Sequence, residues 1–186
     1  MKSSFYSKEE LLKLGIKQYG DNVSISRKIS IYSPEYIEIG NNVRIDDFCI
    51  LSGRIKIGDN VHISAGVYLY GKSGIEIGDY SGCSAGCKIY SETDDFSGDS
   101  MVGAVLPDEL KRVKRGKVSI GNFVQLGVDT VVMPGVNVQE GAVTGAKSFV
   151  KHDLLSWTVN AGIPTKKIGN RSRELLKLVP DANGKI

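Results

Sequence analysis

Histidine is nearly missing from this chain of 186 residues: it occurs twice, as His62 and His152. A catalytic zinc commonly takes three protein ligands, so a centre built on three histidines of one chain is excluded. Cysteine is also scarce. Cys49, Cys83 and Cys87 make an odd count of three, which excludes a disulfide-built scaffold and, with no secretory segment in view, leads to the expectation of a reducing, cytoplasmic setting. No apolar run has the length that crosses a bilayer, so a membrane-spanning chain is not expected. The formal net charge of +3 is too small to argue for nucleic acid as a partner.

Glycine, by contrast, is abundant and in phase. An aliphatic-X-Ile-Gly pattern closes at Gly40, Gly58 and Gly78 and returns, after an interruption, at Gly121. The first step is 18 residues, or three hexads; the second is 20, three hexads with two residues inserted around Lys72 and Ser73. Between the glycines an apolar residue recurs about every sixth position: Ile39, Ile45, Leu51, Ile57, Ile63, Leu69, then Ile77, Cys83 and Ile89. A short fixed period is the mark of a repeat architecture. One hexad supplies a short strand and a corner, so three make a triangular coil whose aliphatic residues point inward and stack. The position after each must be small, because the backbone turns there and neighbouring coils approach closely. Neither the helical period of 3.6 nor simple alternation fits this stretch. A single coil cannot bury its own apolar edge, so several must stack and the ends must be capped.

This hexad pattern resembles the hexapeptide-repeat acyltransferases, whose fold is a left-handed parallel β-helix; the handedness is implied by the resemblance alone. The similarity runs from about Asp21 to Arg171, and the closing Ala161-Gly162-Ile163-Pro164 followed by lysines matches the family's ending. The implied fold class is all-β, a triangular prism in a single domain. Residues 1–20 are expected as a capping segment with a short helix, opened by Ser7-Lys8-Glu9-Glu10 at capping-box spacing. Residues 21–171 form the β-helix, and 172–186 a C-terminal tail with a brief helix near 173–178 and a frayed end at 180–186. Residues 92–117 leave the hexad phase, and an excursion of that length is expected to be functional. In the family a loop at this place reaches across to a neighbouring subunit, which implies a homotrimer.

Acyl transfer needs a base, donors for the tetrahedral oxyanion and a groove for the donor's pantetheine arm. Acetyl-CoA is the co-substrate implied by the resemblance, and no metal is expected. The family's catalytic histidine falls, in this chain, at Asp94. Glu92, Asp94 or Asp95 could serve instead, or His62, which precedes inward Ile63 and so points outward. His62 is expected one coil from the 91–95 segment, and His152 is the weaker histidine candidate. Asp94 and Asp95 could equally be a polar turn. Asp46, Asp47 and Glu92 are candidates for contact with a sugar acceptor. The family's donor site maps onto Gly127, Gly145, Ala146 and Ser148 for the pantetheine, and onto Lys151, Lys166, Lys167 and Arg171 for the phosphates. Trp157 is expected as a lid over the last coil, or stacked near the adenine of the donor.

The leading reading is an acetyl-CoA-dependent O-acetyltransferase of the galactoside, polysaccharide or xenobiotic type, acting on a sugar or polysaccharide precursor. The alternatives are N-acetyl transfer to a nucleotide-linked amino sugar, where loss of the usual histidine matters less, and a non-catalytic β-helix scaffold. The related β-helical carbonic anhydrases need three zinc-ligating histidines per subunit and are excluded by the histidine count.

Overall fold

A computed structural model describes residues 4–179 of the chain, wound as a left-handed parallel β-helix. One face is an eight-stranded sheet in which Ser24–Ile25, Arg44–Ile45, His62–Ile63, Gly82–Cys83, Gln125–Leu126, Val143–Thr144 and Thr158–Ala161 stack in parallel register, closed by antiparallel Lys166–Asn170. A ten-stranded sheet makes the other two faces, because the long strands Ile50–Ile57 and Tyr68–Ile77 each run around a corner. The ladder between them slips from Gly53↔Gly71 to Ile55↔Ile75, which is where the two extra residues of the hexad count are absorbed.

The hexad residues fill the prism. Ile39, Ile45, Leu51, Ile57, Ile63, Leu69, Ile77, Cys83 and Ile89 are each at most 3% exposed; burying a side chain of this size contributes about 1.5–3 kcal/mol. Burial pushes the Cys83 thiol well above its ordinary pKa, so it acts as a small core hydrophobe.

The recurring Ile-Gly followed by Asn or Asp has a specific cause. The side-chain oxygens of Asn41, Asp59, Asp79 and Asn122 accept from the backbone N–H of Asp21, Asn41, Asp59 and Asp79, one coil earlier, at 2.8, 2.7, 2.8 and 2.9 Å. A Cβ on Gly40, Gly58 or Gly78 would fall on that oxygen. The next residue of each turn is left-handed: Asn22, Asn42, Asn60, Tyr80, Phe123 and Trp157 have φ of 54–58°. Asparagine tolerates this conformation, and Asn22, Asn42 and Asn60 link as an amide ladder. Higher up the ladder becomes aromatic, with Tyr80 and Phe123 stacked at 5.2 Å. Trp157 continues this column. It stands over Gly141 and is only 5% exposed, so it is a corner residue of the prism and not the expected lid.

At the N-terminal end the capping box forms as its spacing predicts, with Ser7 and Glu10 exchanging bonds around one helical turn, Lys8–Leu11, followed by a 3-10 turn, Leu12–Leu14. Arg27, then the Ser7 amide, hold the Glu10 carboxyl down to about 2. Phe5 bridges antiparallel to Ser26, covering the open edge of the first strand. Residues 92–117 are more ordered than their composition suggests. Glu92–Asp94 pairs antiparallel with Val113–Arg115, and Asp108–Leu110 is a 3-10 turn. The brief C-terminal helix is a 3-10 helix, Glu174–Leu178; the end expected to fray, 180–186, lies outside the described residues.

Candidate active site

On the eight-stranded face the residue after each inward side chain forms a column: Asp46, Ser64, Ser84, Gly127 and Gly145. Their amides donate to carbonyls of the next coil (Ile63, Cys83, Leu126, Thr144 and Asn160) at 2.8–3.1 Å, so successive members lie about 4.8 Å apart along the prism. From Ser64 upward all are small. A Cβ on Gly127 would strike the backbone of Thr144, Gly145 and Ala146 at 2.6–2.8 Å, so glycine is required there by the closeness of the coils.

Each coil then turns through a left-handed residue: Gly66, Gly86, Asp129 and Lys147. The residue before it is Ala65, Ala85, Val128 or Ala146. Its backbone N–H makes no hydrogen bond among the described residues, as is usual for the first central position of such a turn. The corner is therefore a groove floored by Ser84, Gly127 and Gly145 with one unused donor per coil. Ala146 is expected from the sequence, with Gly127 and Gly145, in a donor site. Ser84, Ala85 and Val128 are not singled out by it. The signal that could have found Ser84 is its hexad phase, which is the phase of Gly127 and Gly145. The Ser84 Oγ accepts from Gln125 Nε2 at 3.1 Å and keeps its own proton free, with no acceptor among the described residues.

The upper end of this groove is basic. Lys166 and Lys167 lie exposed opposite Ala161 and Asn160, Lys151 is exposed nearby in sequence, and none of the three has an ion-pair partner among the described residues. Two other expected donor contacts face elsewhere. Arg171 turns inward, donating to the Phe123 and Gly141 carbonyls at 2.5 and 3.1 Å beside the Trp157 ring, and desolvation lowers its pKa. Ser148 is buried, with its hydroxyl on the Gly145 carbonyl at 2.7 Å. His152 is exposed at the rim of a cavity of about 170 Å³ that also includes Lys167.

The carboxylates separate clearly. Glu92 accepts from Ser73 Oγ at 2.5 Å and meets Arg115 and Lys72 at 3.5 and 3.7 Å, fastening the hairpin root. Asp95 is held by the Ser97 hydroxyl and amide and by Lys114, and the Ser97 bonds first of all lower its pKa. That is the turn-forming alternative. Asp47 is bound by Ser26 and Lys28, which lower its pKa. Asp46 bridges Arg44 and His62 at 2.7 Å each; burial pushes its pKa up, but the bonds from His62 and Arg44 outweigh this and lower it. Asp94, half-buried on Glu92–Asp94, is the one whose carboxylate has no partner among the described residues.

His62 is not beside this hairpin. It lies on the eight-stranded face, paired with Arg44 and Gly82, whereas the hairpin leaves the prism after the strand Lys88–Tyr90 of the next face. Ser84 and Asp94 likewise stand at opposite ends of that strand. Within one chain neither His62 nor Ser84 is brought to Asp94. Among the described residues there is no group of side chains that could hold a metal ion, and no helix is long and apolar enough to cross a membrane.

The chain is similar to known proteins over more than nine-tenths of its length. A family model described as "Bacterial transferase hexapeptide (six repeats)" matches residues 36–71. The dTDP-4-amino-4,6-dideoxy-D-glucose acyltransferase of Escherichia coli is 43% identical over 172 residues, covering 91% of this chain and 90% of that one. AntD, an N-acyltransferase from Bacillus cereus, has been solved as an S84C mutant with dTDP-4-amino-4,6-dideoxyglucose and coenzyme A. It superposes with a TM-score of 0.94 at 45% identity, covering 96% of both chains. AntD with dTDP and 3-hydroxybutyryl-CoA superposes at 0.93, with 46% identity and 95% of both chains covered.

Proposed function

We propose, on the premise that this chain belongs to the hexapeptide-repeat acyltransferases, that it moves an acyl group from an acyl-coenzyme A to the amine of a nucleotide-linked 4-amino-4,6-dideoxy sugar. The observation that carries this reading is similarity over nine-tenths of the chain to an acyltransferase of such a sugar. It favours the N-acyl alternative over the O-acetyl transfer first expected from the family resemblance. The unpaired Asp94 supports it. Solved AntD variants were altered at a serine and an aspartate that their structures number 84 and 94, and this chain has serine and aspartate at the same numbers.

The donor's pantetheine lies along Gly145 and Gly127, its amides meeting the free N–H groups of Ala146 and Val128, with its phosphates toward Lys166, Lys167 and Lys151. The thioester then reaches Ser84. Asp94 accepts a proton from the sugar ammonium and aims the freed nitrogen at the carbonyl carbon. As the C–N bond forms, the Ala85 N–H and the Ser84 hydroxyl face the developing oxyanion. Collapse breaks the C–S bond, and the departing thiolate takes up the proton that the newly acylated nitrogen gives up, leaving a neutral amide and the free thiol; Asp94 returns its own proton to solvent. An amine needs no strong base once neutral, which suits a carboxylate where other members of the family use histidine.

Ser84 and Asp94 meet only if they come from different copies. A closed trimer provides this, and the hairpin's exposed Phe96, Met101 and Val105, which are 76, 53 and 94% accessible, are the surface a neighbour would cover.

Initial rates of thiol release test the acceptor. Turnover is expected with dTDP-4-amino-4,6-dideoxyglucose and only background with its 4-hydroxy counterpart; the opposite preference would restore the O-acyl reading. For the donor end, Lys166→Glu with Lys167→Glu is expected to weaken coenzyme A binding by roughly tenfold or more, since charge-assisted contacts contribute about 1.5–3 kcal/mol. Calorimetric titration with coenzyme A measures this, and unchanged affinity would remove both lysines from the site.

A further inference from the structure

A cavity of about 490 Å³ opens on the charged face below the root of the hairpin. Four cations line it, with Glu38 and Glu76 as its carboxylates. Those two are already matched: Lys17 pairs with Glu38 at 2.6 Å and Lys117 with Glu76 at 2.7 Å. Arg54 has no ion-pair partner among the described residues; Lys56 lies in register between Glu38 and Glu76 of the neighbouring strands without closing a salt bridge to either, and both cations are exposed. They flank inward-facing Ile55, so they project from the same side of one strand, and with Lys17 and Lys117 they give the cavity more positive charge than Glu38 and Glu76 offset. Beside them stands the half-exposed ring of Tyr36, with the Arg54 guanidinium 5.7 Å from its centroid.

The far wall of the cavity is Ser73. Its hydroxyl and amide are bound to Glu92 and Ser91 at 2.5 and 2.9 Å, so that wall is also the root of the hairpin. Asp94 is two residues farther along an extended strand, about 7 Å away. A nucleotide sugar has the same layout: an aromatic base, a doubly charged diphosphate, and a hexose that carries the amine a ring's width beyond. We propose that this cavity is the nucleoside diphosphate subsite of the acceptor, with Arg54 and Lys56 on the phosphates, Tyr36 against the base, and the sugar reaching past Ser73 to Asp94. It rests on the acceptor reading above and adds to it the residues that recognise the nucleotide.

The test is calorimetric titration of the intact protein with thymidine diphosphate, comparing the native chain with Arg54→Ala plus Lys56→Ala. Both side chains are exposed, so the fold should survive. The double variant is expected to bind thymidine diphosphate roughly tenfold or more weakly, from the loss of charge-assisted contacts, while coenzyme A affinity is unchanged. Tyr36→Ala should weaken binding of thymidine diphosphate too, and should leave inorganic pyrophosphate binding as it was. The subsite is overturned if the native chain does not bind thymidine diphosphate, if the double variant binds it normally, or if coenzyme A affinity falls equally. Failure of the acceptor reading looks different: thymidine diphosphate would bind through Arg54 and Lys56, yet no nucleotide-linked amine would be acylated.

Discussion

Replacing Asp94 by asparagine is expected to lower kcat for acyl transfer by roughly a hundredfold or more, the usual contribution of a positioned general base. Asparagine keeps the size and hydrogen-bonding reach of the side chain but cannot take a proton from an ammonium. Coenzyme A affinity should stay within experimental error, because the proposed donor contacts are the N–H groups of Ala146 and Val128 and the lysines, and Asp94 is not one of them. His62→Ala provides the contrast. Its ring is tied to Asp46 at 2.7 Å, one coil below the strand that leads to Ser84, and it takes no part in the proposed proton transfer, so its turnover should be close to native. Steady-state kinetics on the two variants with one confirmed acceptor separates them. Near-native turnover in Asp94→Asn, or a large loss in His62→Ala alone, would move the base to the histidine.

The second large effect is on the fold. In Gly78→Ala the new methyl would collide with the Asn122 side-chain oxygen and lie 2.8 Å from the backbone of Gly121 and Asn122. Backbone cannot rotate aside as a flexible side chain can. A loss of about 3 kcal/mol in unfolding free energy is expected, at the upper end of the cost of overpacking. Gly169→Ala is the control, since nothing lies within 4 Å of its would-be Cβ; it should change stability by less than about 0.5 kcal/mol. Chemical denaturation of both variants is the measurement. Equal stability would mean that the coils do not depend on close approach at the Ile-Gly step.

Much of the fold was legible because its period is carried by inward side chains. Ile39 through Ile89 had to recur every sixth position, and the structure buries each of them. The Ser7 and Glu10 capping box and the two-residue insertion near Lys72 were readable for the same reason: each depends on local spacing. The site was less legible because it depends on stacking between coils distant in sequence. Ser84 looks like any small hexad residue until Gly82↔Gln125 and Gln125↔Val143 register places it in one groove with Gly127 and Gly145. Glu92, Asp94 and Asp95 are equivalent as a string of letters; only the partners Ser73 and Ser97 distinguish two of them from the third. Arg171 has the right charge and position for a phosphate contact, yet the corner of Phe123, Gly141 and Trp157 needs a donor and draws it inward. The choice of amine over hydroxyl is not written in any one residue, and here the relatives carry the argument.

The bond that is made distinguishes N-acyl from O-acyl transfer. The most direct measurement is to incubate the protein with dTDP-4-amino-4,6-dideoxyglucose and an acyl-CoA and determine the product by mass spectrometry and proton NMR. One added acyl group per sugar nucleotide is expected, with a new amide N–H coupled to the sugar H-4. An ester at a ring hydroxyl, or hydrolysed thioester with the amino sugar unchanged, would contradict N-acyl transfer.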